Sequence, residues 1–252
     1  MESIFSQFLL LATSNIECIL PSTYLLALPS RILIMCGRYT FTKVPDESII
    51  VQPQDVEIPL VPRYNIAPSQ LCPIIPQHDI GHIHFFRWGL IPHWAKDTRI
   101  GYKMINARSE TVLEKNSFKG PMRKQRCVVL ADGFYEWKKL KGGKQPYRIL
   151  MEDERDFVMA GLYAFRRSPE GKDVSSFTIL TTEPNELTMD IHDRMPVIFD
   201  QEQKDRWLDP SESAEDLLEV LRPYPAERMK VYPVSSAVGN VRNDYAELVE
   251  EQ

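Results

Sequence analysis

Cys36 stands directly after an internal methionine in the run Met35-Cys36-Gly37-Arg38-Tyr39. If translation starts at Met35, cysteine is small enough for that methionine to be removed, and Cys36 becomes the first residue. An N-terminal cysteine carries an α-amine of pKa about 8 and a thiol of pKa about 8.5. The amine condenses with an aldehyde to an imine, and the thiol closes onto the same carbon to give a thiazolidine ring. The amine could instead serve as base for the thiol, as in N-terminal nucleophile hydrolases. A free cysteine is also an ordinary small core residue, so Cys36 alone fits either a nucleophile or a buried strand side chain.

Three further segments carry groups that such chemistry could use. In the run from Cys127 to Trp137, Glu136 sits between Tyr135 and Trp137. Desolvation there would raise its pKa towards that of a general acid, whereas the same alternation also suits an exposed strand glutamate between core aromatics. His192, in Ile191-His192-Asp193-Arg194-Met195-Pro196, is an acid/base candidate tuned by Asp193 or Arg194, or a structural histidine at a turn before proline. Ile105-Asn106-Ala107-Arg108-Ser109-Glu110 supplies an amide for orientation and an arginine suited to phosphate. Two patterns lead away from chemistry. His78, His82 and His84 surround Asp79 and Gly81 and read as a solvated hairpin tip rather than a metal site. Ser109 lacks the GxSxG context of a serine hydrolase.

The elements that must position these groups are short. Apolar and β-branched runs at 37–42, 71–75, 83–88, 127–130, 147–151, 157–162, 177–182, 197–199 and 229–233 predict strands. Lys141-Gly142-Gly143-Lys144 predicts the turn of a hairpin. Helices are expected at 183–187, 201–208 and 211–221, the last with Ala214, Leu217, Leu218 and Leu221 on one face. Many short strands and few helices, without βαβ alternation, predict an α+β protein on a mixed or antiparallel, curled sheet with short peripheral helices.

With 252 residues, 43% hydrophobic and 26% charged, the chain suits a globular fold rather than a disordered or fibrous one. No apolar run approaches the roughly 18–20 residues that span a bilayer. Four cysteines without a CxxC pair favour free thiols in a reducing compartment over a disulfide framework or zinc ribbon. Residues 1–34 lack the basic start of a secretory signal and the arginines of a mitochondrial presequence. They are expected to be an extension outside the folded domain, which then spans 35–252. A net charge of −5 argues against a protein that coats nucleic acid over its whole surface. Yet 119–148 carries nine basic residues against two acids, a segment suited to a phosphate backbone.

Taken together, these segments resemble the SRAP family (SOS-response-associated peptidase), the abasic-site-processing proteins. The resemblance runs from Met35 almost to the C-terminus: MCGRYT at 35–40, RYNIAPSQ at 63–70, WGLIPHWA at 88–95, INARSET at 105–111, ADGFYEW at 131–137, DIHDRMPVI at 190–198 and AVGNVRND at 237–244. It implies a DNA-damage-response protein that captures abasic sites in single-stranded DNA as a covalent thiazolidine crosslink, with hydrolase, peptidase or lyase activity. Carried over by motif, Cys36 is the crosslinking nucleophile, Asn106 positions it, Glu136 is the acid/base, and His192 assists opening of the deoxyribose ring. Arg38, Arg108 and Arg194 would contact phosphates, Pro68 and Trp94 would wedge or stack against bases, and Thr181 (or Thr182) would join the DNA-contacting set. The implied partner is abasic single-stranded DNA, with the replication machinery as a further candidate, and the implied state a monomer without metal or cofactor. The compartment would be the nucleus in a eukaryote and otherwise the cytoplasm. A thiol (auto)peptidase using Cys36, His192 and Asn106, and a non-covalent reader of modified bases, are the alternatives. The 34 residues ahead of Met35 depart from the family pattern, because an acylated Cys36 nitrogen cannot form an imine.

Overall fold

Alternation of apolar and small residues along short strands closes part of the chain into a barrel. The structure, a computed structural model, describes residues 36–44, 58–167 and 173–252; the expected extension 1–34 and Met35 lie outside them. Its strands are β1 (Tyr39–Phe41), β2 (Arg63–Ile66), β3 (Leu71–Pro76), β4 (His84–Trp88), β5 (Asn106–Arg108), β6 (Arg126–Ala131) and β7 (Gly133–Leu140). They continue as β8 (Gly143–Met151), β9 (Phe157–Arg167), β10 (Asp173–Thr182), β11 (Met195–Pro196), β12 (Ile198–Phe199) and β13 (Met229–Pro233). Two α-helices accompany them, α1 (Lys119–Lys124) and α2 (Gln201–Leu208).

β10, β4, β3, β6 and β9 pair in that order, and β9 pairs back with β10, so these five close on themselves. All the pairings in the ring are antiparallel except β10 with β4. A second sheet runs β13-β8-β7-β1-β2, all antiparallel. The expected α+β class with a mixed, curled sheet is what forms. The two-residue period divides each barrel strand between two cores. Cys127, Val129, Met159, Tyr163, Phe177 and Ile179 pack with Tyr39, Phe41, Phe134 and Ile149 of the second sheet. Val128, Ala160, Leu162 and Leu180 point the other way, under Trp207 and Leu208 of α2. At Gly161 a Cβ would lie 2.8 Å from Cys127 Sγ, so the interior admits no side chain there.

Most expected strands are present with shifted ends, and the β7–β8 hairpin turns at Lys141-Gly142 with Leu140 opposite Gly143. The helix at 201–208 is α2, where Asp200 and Gln203 form a reciprocal capping box. The other two expected helices are corrected. Residues 211–221 contain only a 3-10 segment, Asp216–Val220, whose three-residue repeat buries Ala214, Leu217 and Val220 and leaves Leu218 exposed. Residues 183–187 form no helix: Asn185 Oδ1 accepts from the backbone N–H of Thr188, and only a hydrogen-bonded turn follows. β2, β5, β11 and α1 were not expected; none exceeds six residues, too short for periodicity to register.

The basic segment 119–148 is also less of a stripe than its composition suggests. Arg126 is fully buried and gives its guanidinium to the carbonyls of Trp207, Met122, Arg123 and Asp209, with Trp207 beneath it. Arg148 is buried beside Asp132. The exposed cations divide between α1, packed on the barrel, and the β7–β8 tip. Arg126 therefore carries stability rather than phosphate affinity. Arg126→Ala would strand several buried carbonyls and leave a cavity, costing about 3–5 kcal/mol in urea unfolding. Lys124→Ala, on the exposed face of α1, should stay within about 0.5 kcal/mol of wild type.

Candidate functional site

The candidate site begins where the chain enters β1. Arg38 extends the β1–β7 ladder, its carbonyl accepting from Tyr135 N–H at 3.0 Å. That pairing carries Cys36 to the segment holding Glu136. On β7, Phe134 faces the barrel core, Tyr135 and Trp137 face the C-terminal segment, and Glu136 returns to the Phe134 side. The strand period thus buries the carboxylate to 2% exposure rather than leaving it at the surface. Cys36, itself 4% exposed, donates its backbone N–H to Glu136 Oε1 at 2.7 Å.

This entry is fixed from below by a second buried carboxylate that sequence reasoning missed. Asp132 accepts from the Thr40 hydroxyl at 2.5 Å, from Thr42 N–H at 2.6 Å, from the Thr42 hydroxyl and from Arg148 at 3.3 Å. A Cβ on Gly133 would sit 2.8 Å from both Arg148 Nε and Thr40 Oγ1, so the turn from β6 into β7 needs glycine for clearance. A signal for the network existed in the Asp-Gly pair at 132–133, which sequence alone marks only as a turn.

The facing wall comes from β10 and its neighbours. β5 runs parallel to β10 with Asn106 beside Ile179 and Arg108 beside Thr181, while β11 pairs antiparallel with Met195 beside Thr182. The chain between β10 and β11 carries His192 and Arg194. The Arg194 carbonyl oxygen is 4.0 Å from Cys36 Sγ. His192 Nδ1 lies 3.2 Å from the Arg194 backbone N–H and 3.0 Å from Asp193 Oδ1. With neutral imidazole, Nδ1 accepts from Arg194; once protonated it donates to Asp193. The Arg194 guanidinium forms two bonds with Glu110, at 2.5 and 2.9 Å, and a third to Thr181 O at 2.6 Å.

Burial drives the electrostatics. It raises the Glu136 carboxyl above the ordinary carboxylate range, against opposing attractions from His192 and the Cys36 N–H. Burial, and then the neighbouring Glu136 charge, push the Cys36 thiol well above its usual value. Arg194 holds Glu110 below its ordinary value through their hydrogen bonds.

Of the expected site residues, the fold brings Cys36, Glu136 and Arg194 into direct contact, with His192 close enough to affect Glu136. Asn106 opens β5, half-buried, on the same wall. Arg38 spends its guanidinium on Asn65 Oδ1 and the carbonyls of Val238 and Gly239. Thr181 and Thr182 are buried. Arg108 is exposed, and its charge helps to hold the Glu110 carboxyl low. Pro68 is half-buried in the turn after β2. Trp94, 50% exposed, lines a cleft of about 500 Å³ together with Lys124 and Phe165. The histidine group at 78–84 stays at the β3–β4 turn, where Asp79 bonds His82 and His84. Among the described residues no group of three His, Cys, Asp or Glu side chains is arranged to hold a metal, and no helix is long and apolar enough to cross a membrane.

Raising a carboxyl pKa on folding has a thermodynamic sign. The folded chain binds the Glu136 proton more tightly than the unfolded chain does, so stability from this group is full below about pH 4 and is lost as pH climbs through the raised value. Glu136→Gln still offers an acceptor to Cys36 N–H but cannot ionise. Urea unfolding should show the variant equal to wild type at about pH 4 and more stable than wild type at about pH 8.

The same chain shares its fold and much of its sequence with known proteins. The pattern of the SOS response associated peptidase (SRAP) family matches residues 35–241. "Abasic site processing protein YoqW" of Bacillus subtilis is 46% identical over 222 residues, spanning 86% of this chain and 99% of its own. "Abasic site processing protein HMCES" of Gallus gallus is 37% identical over 220 residues, 74% of this chain and 65% of that protein. A crystal structure of a Bacteroides thetaiotaomicron protein superposes with TM-score 0.69 at 32% identity, over 75% of this chain and 84% of that one. A match of this extent, carrying both halves of the Cys36–Glu136 contact and the His192–Arg194 turn inside it, places the chain in the SRAP family.

Proposed function

We propose that this chain processes abasic sites in DNA by forming a thiazolidine crosslink through Cys36 as an N-terminal residue. The observation that carries the reading is the 2.7 Å contact between the Cys36 nitrogen and the buried Glu136 carboxylate. While residue 35 is attached, that nitrogen is an amide and a hydrogen-bond donor only. Once Cys36 is terminal, the same contact joins an amine to a carboxyl group raised towards neutrality by burial, as required to pass protons in both directions. The start of the family match at residue 35 supports Met35 as the working start, with 1–34 outside the active protein.

In this reading the abasic deoxyribose opens to its aldehyde with His192 assisting proton transfer. The Cys36 amine adds to the aldehyde carbon, and Glu136 passes protons so that the oxygen leaves as water and an imine forms. Sγ then bonds to the imine carbon while the thiol proton ends on nitrogen. The net change is the loss of one water. Asn106 orients the reactants, and Arg108, the exposed cation of the wall, contacts a phosphate of the single strand. Pro68 and Trp94 meet bases, with Trp94 stacking worth about 1–3 kcal/mol. The chain acts as a monomer without cofactor.

Protein beginning at Cys36, mixed with an abasic single-stranded oligonucleotide, should yield a heat-stable adduct on a denaturing gel. Its intact mass should be that of protein plus oligonucleotide less one water. Cys36→Ala should abolish the adduct, and Cys36→Ser should leave none that survives heating; an undiminished adduct in Cys36→Ala sinks the assignment. Cys36-dependent peptide hydrolysis without DNA adduct would favour the peptidase, and DNA binding indifferent to Cys36→Ala without an adduct would favour a non-covalent reader.

A further inference from the structure

Between the turn at 186–190 and the Thr182–Met195 pair, the segment carrying His192 has few anchors. Ile191 and His192 donate backbone N–H groups to Thr188 O, at 2.9 and 3.0 Å. Beyond them the main restraint is the Arg194 side chain, which is 10% exposed and reaches back to the far side of β10. There Glu110, in the 3-10 turn Ser109–Thr111 just after β5, takes both terminal nitrogens of the guanidinium, one on each carboxylate oxygen. One of those nitrogens also donates to Thr181 O. The three bonds fix the plane and the reach of the guanidinium, not merely its charge.

We propose that Glu110 is a positioning residue for the crosslinking reaction: its two-pronged grip on Arg194 holds the 192–194 turn against Cys36. Two backbone contacts transmit the grip. The Arg194 N–H meets His192 Nδ1 at 3.2 Å, and the Arg194 carbonyl oxygen lies 4.0 Å from Cys36 Sγ. A guanidinium released from Glu110 would keep only Thr181, on a single nitrogen, and the turn could rotate about the Met195 anchor. His192 and the carbonyl would then leave the reacting atoms.

A surface ion pair would not do this, because exposed pairs lose most of their attraction to water and to side-chain entropy. Here the cation is buried and its geometry bidentate, while only the carboxylate is open, with 50% of its side chain exposed. That asymmetry makes Glu110 a clean target, because replacing it opens no core cavity. A competing role can be stated from the same contact. A carboxylate held by both prongs of an arginine occupies the place a phosphate would take, so Glu110 could simply block Arg194 until DNA displaces it. The two roles predict opposite effects on affinity.

The inference rests on the crosslinking reading, and the test separates their failures. The full chain is folded with a protease recognition sequence in place of residues 29–35 and then cut directly before Cys36. Single-turnover adduct formation is followed at saturating abasic oligonucleotide. Affinity is measured separately with an oligonucleotide bearing a tetrahydrofuran, an abasic analogue that has no aldehyde. Glu110→Gln should slow adduct formation about tenfold while changing affinity for the analogue less than about twofold, the signature of misplaced groups rather than lost binding. In an Arg194→Gln background the same substitution should change the rate less than about twofold, because Glu110 acts only through Arg194. If Glu110→Gln melts well below wild type, Glu110→Asp, which keeps the charge but shortens the reach, is judged by the same criteria. An unchanged rate, tighter binding of the analogue, or an equal slowing in both backgrounds overturns the positioning role. Absence of adduct from the cut wild-type protein overturns the crosslinking reading and this inference with it.

Discussion

A carboxylate buried against a backbone nitrogen is the constraint around which the site is built. Ionising Glu136 inside the protein is costly, and the His192 charge and hydrogen bonds from Cys36, its N–H at 2.7 Å among them, offset that cost only in part. The group is kept there by the pleat of β7, which cannot turn Glu136 outward without turning Phe134 out of the core as well. Four residues earlier, Asp132 spends a second buried carboxylate on Thr40, Thr42 and Arg148, and so fixes the end of β1 relative to the start of β7. Two carboxylates four residues apart therefore have opposite assignments. Asp132 is held by at least four donors, whereas at Glu136 burial outweighs the partners and raises the carboxyl, the condition expected of a group that must exchange protons.

The barrel supplies the other half of the geometry. A closed ring of strands has little freedom to shear, so the ends of β5, β10 and β11 hold their spacing to the second sheet through the shared core around Tyr39, Trp88 and Phe177. Loops carry His192 and Cys36, and side-chain anchors rather than loop stiffness orient them. This division suits a reaction in which a bulky polymer must enter before a covalent bond forms. The proposed crosslink would also lighten the demand on long-range electrostatics. With Arg126 and Arg148 consumed by the fold, the exposed positive charge is scattered, but a covalent product would not dissociate with salt as a purely ionic complex does.

The strand framework was legible in the sequence because apolar runs between turn residues survive as strands whatever their partners. The β7–β8 hairpin followed from its Gly-Gly turn, and α2 at 201–208 formed as expected, with an Asp200–Gln203 capping box that only the structure showed. What local rules could not settle depended on tertiary partners. Leu218 lies outward because the segment winds as a 3-10 helix under the barrel, and Glu136 lies inward because the barrel covers that face of β7. The candidate site was legible as a set of motifs, and its residue types suggested the chemistry. The motifs did not distinguish residues that meet Cys36 from residues that brace the fold. Arg38 sits two positions from Cys36 yet binds the C-terminal segment, while the roles of Glu110 and Asp132 emerged only with their partners, the Asp-Gly pair at 132–133 marking no more than a turn.

The backbone at Cys36 gives the proposed N-terminal cysteine a physical rationale beyond the motif. Its φ is +40°, a left-handed conformation that costs a non-glycine residue about 1–2 kcal/mol through crowding of Cβ against backbone. That angle is defined by the carbonyl carbon of residue 35. Without residue 35 there is no φ at Cys36, no crowding and no delocalised lone pair, and the nitrogen gains the freedom to approach a carbonyl carbon. An ammonium or amine at Cys36 can donate to the same Glu136 oxygen. An attached residue 35 thus strains the position and silences its nitrogen, while a free terminus relaxes the strain and makes the nitrogen a nucleophile. Both effects favour the chain in which Cys36 comes first, with Glu136 already in place to take its proton.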